Sequence, residues 1–148
     1  MSEQAQSIEV IETRSPAGTE RFGRLLARRL GRGDCIALVG DLGAGKTALV
    51  RGIAAGLGLA DRHMVSSPTF VLCQEYPAAV TVFHLDLYRM SDPGPELEDL
   101  GLAEMLQEGV VLVEWADRAI DHLPRPLWQV SLSITGPRHR RIEIRRIE

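Results

Sequence analysis

Lysine, asparagine and clustered cysteines are scarce or absent in this sequence, and each absence excludes a kind of site. Of the seventeen basic residues sixteen are arginines, and the only lysine is Lys46. No asparagine occurs, which excludes the NKxD element that reads guanine in GTPases. The two cysteines, Cys35 and Cys73, lie in separate apolar segments without CxxC or Cys/His spacing. A zinc site therefore lacks ligands, and we expect two buried, reduced thiols.

The sequence also has little that would attach it to a membrane or to nucleic acid. Its longest apolar runs, 35–39 and 110–113, are far shorter than the ~18 to 20 residues that a spanning helix needs. The start, MSEQAQSIEVIE, lacks the basic flank and apolar stretch of a signal peptide, so we expect a cytoplasmic protein without membrane contact. The formal net charge is -3, so any RNA role is expected to act through partners.

The length and composition are those of one ordinary globular domain. The chain has 148 residues, of which 45% are hydrophobic and 25% are charged. These shares argue against long disorder and are enough for a sheet with helices on its faces. We therefore expect a single domain over residues 1–148.

Hydrophobic periodicity predicts strands that alternate with helices. The predicted strands are 7–12, 34–39, 69–76, 80–88, 110–113, 127–134 and 140–147. The predicted helices are one capped by Ser15 that ends at Gly31, one from Lys46 to Gly58, and one over 96–107 after a loop at 91–95. The apolar stripe of the first helix is Phe22, Leu25, Leu26 and Leu30. Turns at Pro77 and at 135–137 predict two hairpins, so the sheet is expected to mix parallel and antiparallel strands.

Residues 40–47, GDLGAGKT, match GxxxxGK[ST] at every fixed position and lie between a predicted buried strand and a predicted helix. A random match is expected about once in a few hundred sequences of this length. Glycines let backbone N–H groups surround phosphates at the start of a helix, where the dipole adds partial positive charge. The motif predicts a nucleotide site in which Lys46 reaches the β- and γ-phosphates and Thr47 ligates Mg²⁺. The missing NKxD element favours adenine.

A metal at this site also needs a carboxylate, and two acidic residues follow predicted strands. Glu114 ends the apolar run 110–113, where a charge is costly unless a cation or hydrogen bonds compensate it. Asp86 follows residues 80–85 of the preceding predicted strand, on the strand face that His84 shares. We favour Glu114 as the metal ligand and Asp86 as a water-orienting base, while Asp86 as the ligand and structural roles for both remain open.

Three further features have a functional and a structural interpretation. Thr69, within SPTF at 67–70, lies where nucleotide switches place a γ-phosphate sensor, but it also suits a turn before a strand. Trp115 is expected either to border the nucleotide or a partner, or to pack in the core. Arg89 is either an arginine finger or half of a surface ion pair. The basic stretch 138–146 is either an RNA contact or, by strand alternation, a solvated face.

Four ordered segments together resemble the TsaE family of bacterial P-loop ATPases, formerly YjeE. They are GDLGAGKT at 40–47, SPTF at 67–70, HLDLYR at 84–89 and VEW at 113–115. The likeness covers nearly the whole chain and implies a P-loop NTPase-like, three-layer α/β fold with a mixed sheet. It also implies an Mg-dependent ATPase that is weak alone and acts with TsaD and TsaB. Those partners form threonylcarbamoyladenosine beside the tRNA anticodon, so contact with tRNA is expected to be indirect.

The resemblance also implies roles for individual residues. Nucleotide contacts are expected from Thr19 near the base and from Asp41, Leu42, Gly43, Ala44, Gly45, Lys46, Thr47, Ala48 and Trp115. Catalytic roles are expected for Lys46, Thr69, Asp86 and Glu114, with Thr47 and Glu114 as metal ligands. One departure is Ala116, which stands where proline usually follows the tryptophan and makes the loop geometry there less certain.

Two other functions use the same loop. A small-molecule kinase would need an acceptor-binding insertion and a closing element, for which the chain between Gly58 and Glu114 leaves little room. An assembly factor would bind nucleotide with negligible hydrolysis. Phosphate release measured with and without partners separates these alternatives from an ATPase.

Overall fold

The computed structural model describes residues 8–41, 43–66, 73–88 and 90–148. In these ranges seven strands form one sheet in the order β1-β7-β6-β2-β5-β4-β3. The strands are β1 (Glu9–Thr13), β2 (Cys35–Val39), β3 (Cys73–Tyr76), β4 (Thr81–Asp86), β5 (Gly109–Glu114), β6 (Leu127–Ile134) and β7 (Arg140–Ile147). Strands β4, β5, β2 and β6 run parallel, whereas β3, β7 and β1 pair antiparallel to their neighbours. The predicted mixed sheet and both predicted hairpins are confirmed.

Helices cover both faces of this sheet. They are α1 (Pro16–Ala27), α2 (Lys46–Gly56), α3 (Pro93–Leu100) and α4 (Leu102–Glu108), and short 3-10 turns lie at Arg62–Met64, Ala116–Arg118 and Ile120–His122. Alternate residues of β2 enter opposite cores: Ile36 and Leu38 pack with α1 and α2, and Cys35 and Ala37 pack with α3 and α4. A strand that is buried on both faces must be apolar at every position, which is why 35–39 reads as one continuous run. The result is the three-layer α/β fold expected from the resemblance.

Helices α1 and α2 approach each other closely because glycines line their contact. A Cβ at Gly52 would overlap the carbonyl oxygen of Glu20, and a Cβ at Gly23 would lie 2.6 Å from the Leu49 oxygen. Either clash would force the backbones apart, since backbone atoms cannot move aside as a side chain can. This contact fixes α2, and with it the end of the glycine-rich motif, against the body of the protein.

Two predictions from helical spacing are wrong. Leu25 does not belong to the buried stripe of α1, because it is 51% exposed. The predicted helix over 96–107 is two helices that meet at Gly101, whose φ of 84° no helix interior accommodates. The first of these begins at Pro93, inside the predicted loop, since proline suits the first turn of a helix.

The two thiols differ in burial. Cys35 is fully buried, and burial raises the pKa of its thiol to about 12. Cys73 is only half-buried, so that part of the burial prediction is wrong, although burial still raises the pKa of its thiol to about 11. Both are free cysteines. Across the described ranges, no helix combines the length and apolar character needed to cross a membrane.

Candidate functional site

Residues 40–47, called the phosphate loop below, connect the end of β2 to the start of α2. Gly43 and Gly45 have φ angles of 80° and 99°, a region that residues with a Cβ rarely adopt. Gly45 is the N-cap of α2 and has no side chain to satisfy the free N–H groups of the first turn. Those groups remain available to an anion, which is the arrangement that phosphate sites at helix N-termini use.

Lys46 is folded into the phosphate loop. It is 6% exposed, and its ammonium donates a hydrogen bond to the Gly40 carbonyl oxygen. The same Nζ lies 4.3 Å from the centroid of the Trp115 ring, so a cation–π contact also holds it. A buried lysine needs such partners.

Glu114, Asp86 and His84, called the carboxylate cluster below, lie at the carboxyl ends of two neighbouring parallel strands. Register pairs Asp86 directly with Glu114, and side-chain alternation puts all three on the sheet face that α1 and α2 cover. Glu114 is 3% exposed, and its Oε2 lies 2.5 Å from Nε2 of the fully buried His84. The cluster therefore faces the helix that begins with Lys46.

The pKa of the Asp86 carboxyl is raised in the folded protein. Burial is the largest cause and the nearby Glu114 charge adds to it, whereas a hydrogen bond from the Tyr88 backbone N–H and the charges of His84 and Lys46 act in the opposite direction. A carboxylate with a raised pKa is a stronger base than an exposed one, so Asp86 suits the role of a proton acceptor better than that of a spectator charge.

The oxygen groups at this site suit Mg²⁺. Mg²⁺ prefers hard oxygen ligands and is usually held by one or two carboxylates together with substrate phosphates. Of the two carboxylate oxygens of Glu114, only Oε2 has a hydrogen-bond partner among the described residues. Oε1 is therefore left to bind a cation. In the same ranges no three His, Cys, Asp or Glu side chains group as a metal cage, so a metal here would share Glu114 and Thr47 with a nucleotide.

The Trp115 ring lies beside Lys46 and, partly buried, also packs against the core on the α3 and α4 side. The φ of Trp115, 58°, is the only positive value for a non-glycine residue among the described residues. The ring lies against Lys46 and 4.9 Å, between centroids, from the ring of Tyr88. Ala116, the departure from the family pattern, is fully buried at the start of a 3-10 turn. A strained backbone at a site edge is typical of functional positions.

The amino end of α1 meets the phosphate loop through Thr19. This side chain is 1% exposed and its hydroxyl lies 2.7 Å from that of Thr13. Its methyl group would lie 3.8 Å from a Cβ placed on Gly45. Thr19 is therefore close to the loop, and its contact with a nucleotide stays a prediction.

Two functional candidates were missed by reasoning from the sequence, His84 and Arg140. The sequence did place His84 on the face of Asp86, but its contact with Glu114 joins residues thirty positions apart. Arg140 belongs to the basic stretch interpreted as a solvated face, yet its guanidinium donates to the Gly43 carbonyl oxygen at 2.8 Å. Its Nε is buried without a partner in the described part of the structure. No sequence signal distinguishes Arg140 from its neighbouring arginines.

Some predicted site residues lie outside the described ranges. They are Leu42 of the phosphate loop, Thr69 with the rest of 67–70, and Arg89. Their roles stay predictions.

Two grooves on the described surface are large enough to hold a small ligand. One of about 570 Å³ lies between α3, α4 and the turn at Ile120–His122, and its lining includes Leu97, Leu102 and His122. The other, about 450 Å³, runs along Gly40, Asp41, Ala44 and β6. The larger groove contains no residue of the phosphate loop or the carboxylate cluster. The smaller groove includes Gly40, Asp41 and Ala44 of the phosphate loop, but it too contains no residue of the carboxylate cluster.

Known proteins are similar to this chain in sequence and in fold. Residues 13–142 match the family model described as "Threonylcarbamoyl adenosine biosynthesis protein TsaE". The "tRNA threonylcarbamoyladenosine biosynthesis protein TsaE" of Bacillus subtilis (strain 168) is 42% identical over 132 residues, which cover 88% of this chain and 80% of that relative. A protein of the same name from Treponema pallidum (strain Nichols) is 35% identical over 133 residues, 89% of this chain and 96% of that one.

A solved structure has a similar fold. The crystal structure of YdiB from Bacillus subtilis superposes with a TM-score of 0.78 at 30% identity, covering 99% of this chain and 90% of that one. Sequence and fold therefore agree: the chain belongs to the TsaE family of tRNA threonylcarbamoyladenosine biosynthesis.

Proposed function

We propose that this protein binds ATP and Mg²⁺ at the phosphate loop and hydrolyses the nucleotide in support of tRNA threonylcarbamoyladenosine formation. It acts in the cytoplasm with TsaD and TsaB, and its contact with tRNA is indirect. One observation carries the proposal: the buried ammonium of Lys46 lies in a glycine-rich loop at the start of α2. An uncompensated anion site of this shape is matched by a polyphosphate.

Each part of the site has a distinct task in this proposal. The N–H groups of the phosphate loop and of the first turn of α2 hold the phosphates, with Ala48 in that turn. Lys46 exchanges the Gly40 carbonyl for phosphate oxygens and offsets the charge that develops on them. Mg²⁺, when bound by Thr47 and Glu114, would neutralise phosphate charge as it does in other P-loop enzymes.

Asp86 is the proton acceptor for the attacking water. Its raised pKa, caused mainly by burial, makes it a better base than an exposed aspartate. Thr69 is proposed to sense the γ-phosphate and Trp115 to close the side of the nucleotide site. Thr19 contributes to the wall next to the base.

Phosphate release tests this proposal against the kinase and assembly-factor alternatives. We expect slow ATP hydrolysis by the protein alone and faster hydrolysis with TsaD and TsaB, abolished in both cases by Lys46→Ala. Arg51→Ala is a matched control, because Arg51 is a basic residue of the same helix that contacts the Val65 carbonyl instead of the phosphate loop. Consumption of ATP only with a small acceptor would indicate a kinase, and tight binding without turnover in any mixture would indicate an assembly factor.

A further inference from the structure

A line of buried hydrogen bonds starts at the proposed metal ligand and crosses two strands. His84 Nε2 lies 2.5 Å from Glu114 Oε2, and His84 Nδ1 lies 2.9 Å from the Tyr76 hydroxyl. That hydroxyl in turn donates to Oε1 of Gln74 at 2.6 Å. Strand register explains the alignment, since Gln74 pairs with His84 and Tyr76 pairs with Val82 on the same antiparallel ladder.

The direction of each bond in this line follows from its partners. An ionised carboxylate only accepts hydrogen bonds, so His84 must donate from Nε2 to Glu114. Burial raises the pKa of Tyr76 to about 12, so the hydroxyl keeps its proton. It donates that single proton to Gln74 Oε1, with the Ser66 carbonyl oxygen as a more distant acceptor at 3.5 Å. The hydroxyl oxygen is then left to accept from His84 Nδ1.

The apolar surroundings make these bonds necessary. His84 is fully buried and Tyr76 almost so, between the apolar side chains Val82, Val110 and Leu112. Burying a carboxylate that is 3% exposed is costly unless a hydrogen-bond donor faces it. The imidazole of His84 supplies that donor.

We infer that His84 is the positioning residue of Glu114, and that Tyr76 orients His84 for this task. The inference rests on the proposed function, because it treats Glu114 as a metal ligand. Groups that orient metal ligands through a second hydrogen bond are typically worth 10- to 100-fold in metal affinity. His84 keeps one carboxylate oxygen engaged and leaves the other for the cation.

Binding of Mn²⁺ to the protein–ADP complex, counted by electron paramagnetic resonance, measures this without any turnover. We expect His84→Ala to weaken Mn²⁺ binding about 10- to 100-fold and His84→Gln to recover part of the loss, since its amide offers a donor. Tyr76→Phe should cost roughly twofold to tenfold, the value of one hydrogen bond. ADP binding in the presence of EDTA should be unchanged in all three variants.

Leu85→Ala is the matched control for lost packing. Leu85 is as buried as His84 and neighbours it in β4, but it faces the opposite core. We expect this variant to lower thermal stability without changing Mn²⁺ affinity. If His84→Ala does not fold, the Gln and Phe variants decide.

Ring ¹⁵N chemical shifts of His84 in the ligand-free protein give a second, independent readout. We expect a proton on Nε2, the ring nitrogen that faces Glu114, and a bare Nε2 would overturn the inference. Unchanged Mn²⁺ affinity in folded His84→Gln and Tyr76→Phe, alongside normal binding by the wild type, would also overturn it while leaving the proposed function intact. Absence of any Mn²⁺ binding by the wild-type ADP complex would overturn both.

Discussion

The phosphate loop and the carboxylate cluster are built from different materials. The loop is made of backbone: its glycines and the free N–H groups of α2 shape it, and Lys46 is its buried charge. The cluster is made of side chains from two parallel strands, braced by a third, with Glu114 held by His84 and His84 held by Tyr76. Backbone N–H groups can bind any polyphosphate, whereas a pair of carboxylates binds a cation.

This difference assigns separate tasks to the two regions. Backbone N–H groups at a helix start attract anions whether or not a metal is present. Buried carboxylates repel phosphate and become useful only when a cation lies between. The loop should therefore govern nucleotide affinity and the cluster should govern its dependence on magnesium.

Among the substitutions in the carboxylate cluster, replacement of Glu114 should have the largest effect on Mg²⁺-dependent binding. We expect Glu114→Ala to weaken Mg²⁺-dependent nucleotide binding by more than the roughly 10- to 100-fold typical of groups that merely orient a ligand. Asp86→Ala should weaken it less and instead lower hydrolysis. Titrations of Mg²⁺ at fixed nucleotide concentration would compare the two variants, and the opposite order would exchange the roles of the two carboxylates.

A smaller effect on stability follows from the raised pKa of Asp86. Because the folded protein disfavours the ionised form, Asp86 costs free energy of folding at pH above its folded pKa. The cost disappears at pH below the ordinary carboxyl value, where the group is protonated in both states. Asp86→Asn should therefore stabilise the nucleotide-free protein at pH 7, by less than ~1 kcal/mol since solvent screens this partly exposed group.

Urea denaturation at pH 7 and at pH 3.5 would measure that gain. The amide oxygen of the variant can still accept the Tyr88 backbone N–H, so the change isolates the charge. We expect the gain to shrink at the lower pH. Equal stabilisation at both values would show that the charge of Asp86 is not its cause.

Local patterns predicted most of the fold and the phosphate loop. Strands β6 and β7 begin and end where alternation placed them, and 40–47 connects a buried strand to a helix as the motif requires. The failures at Leu25 and Gly101 concern helix faces and breaks, which depend on neighbours that periodicity does not include. Local sequence is therefore enough to predict strands and the phosphate loop, because their shape depends on the backbone of one segment.

The contacts within the carboxylate cluster could not be predicted from local patterns. Glu114 and Asp86 were found because each is a charge at the end of an apolar strand. The bond between His84 and Glu114 depends on β4 and β5 being neighbours in register, and that order follows from the folded sheet, not from either segment. The contact of Arg140 with Gly43 spans ninety-seven positions and depends equally on sheet order.

Calorimetry with ATP in the presence of EDTA tests the division of tasks most directly. We predict that the wild-type protein and Glu114→Ala bind metal-free ATP with similar affinity, while Lys46→Ala shows no detectable heat. Circular dichroism would confirm that all three are folded. Unchanged affinity in Lys46→Ala, or no binding by the wild-type protein with or without Mg²⁺, would contradict the account that the phosphate loop holds the nucleotide.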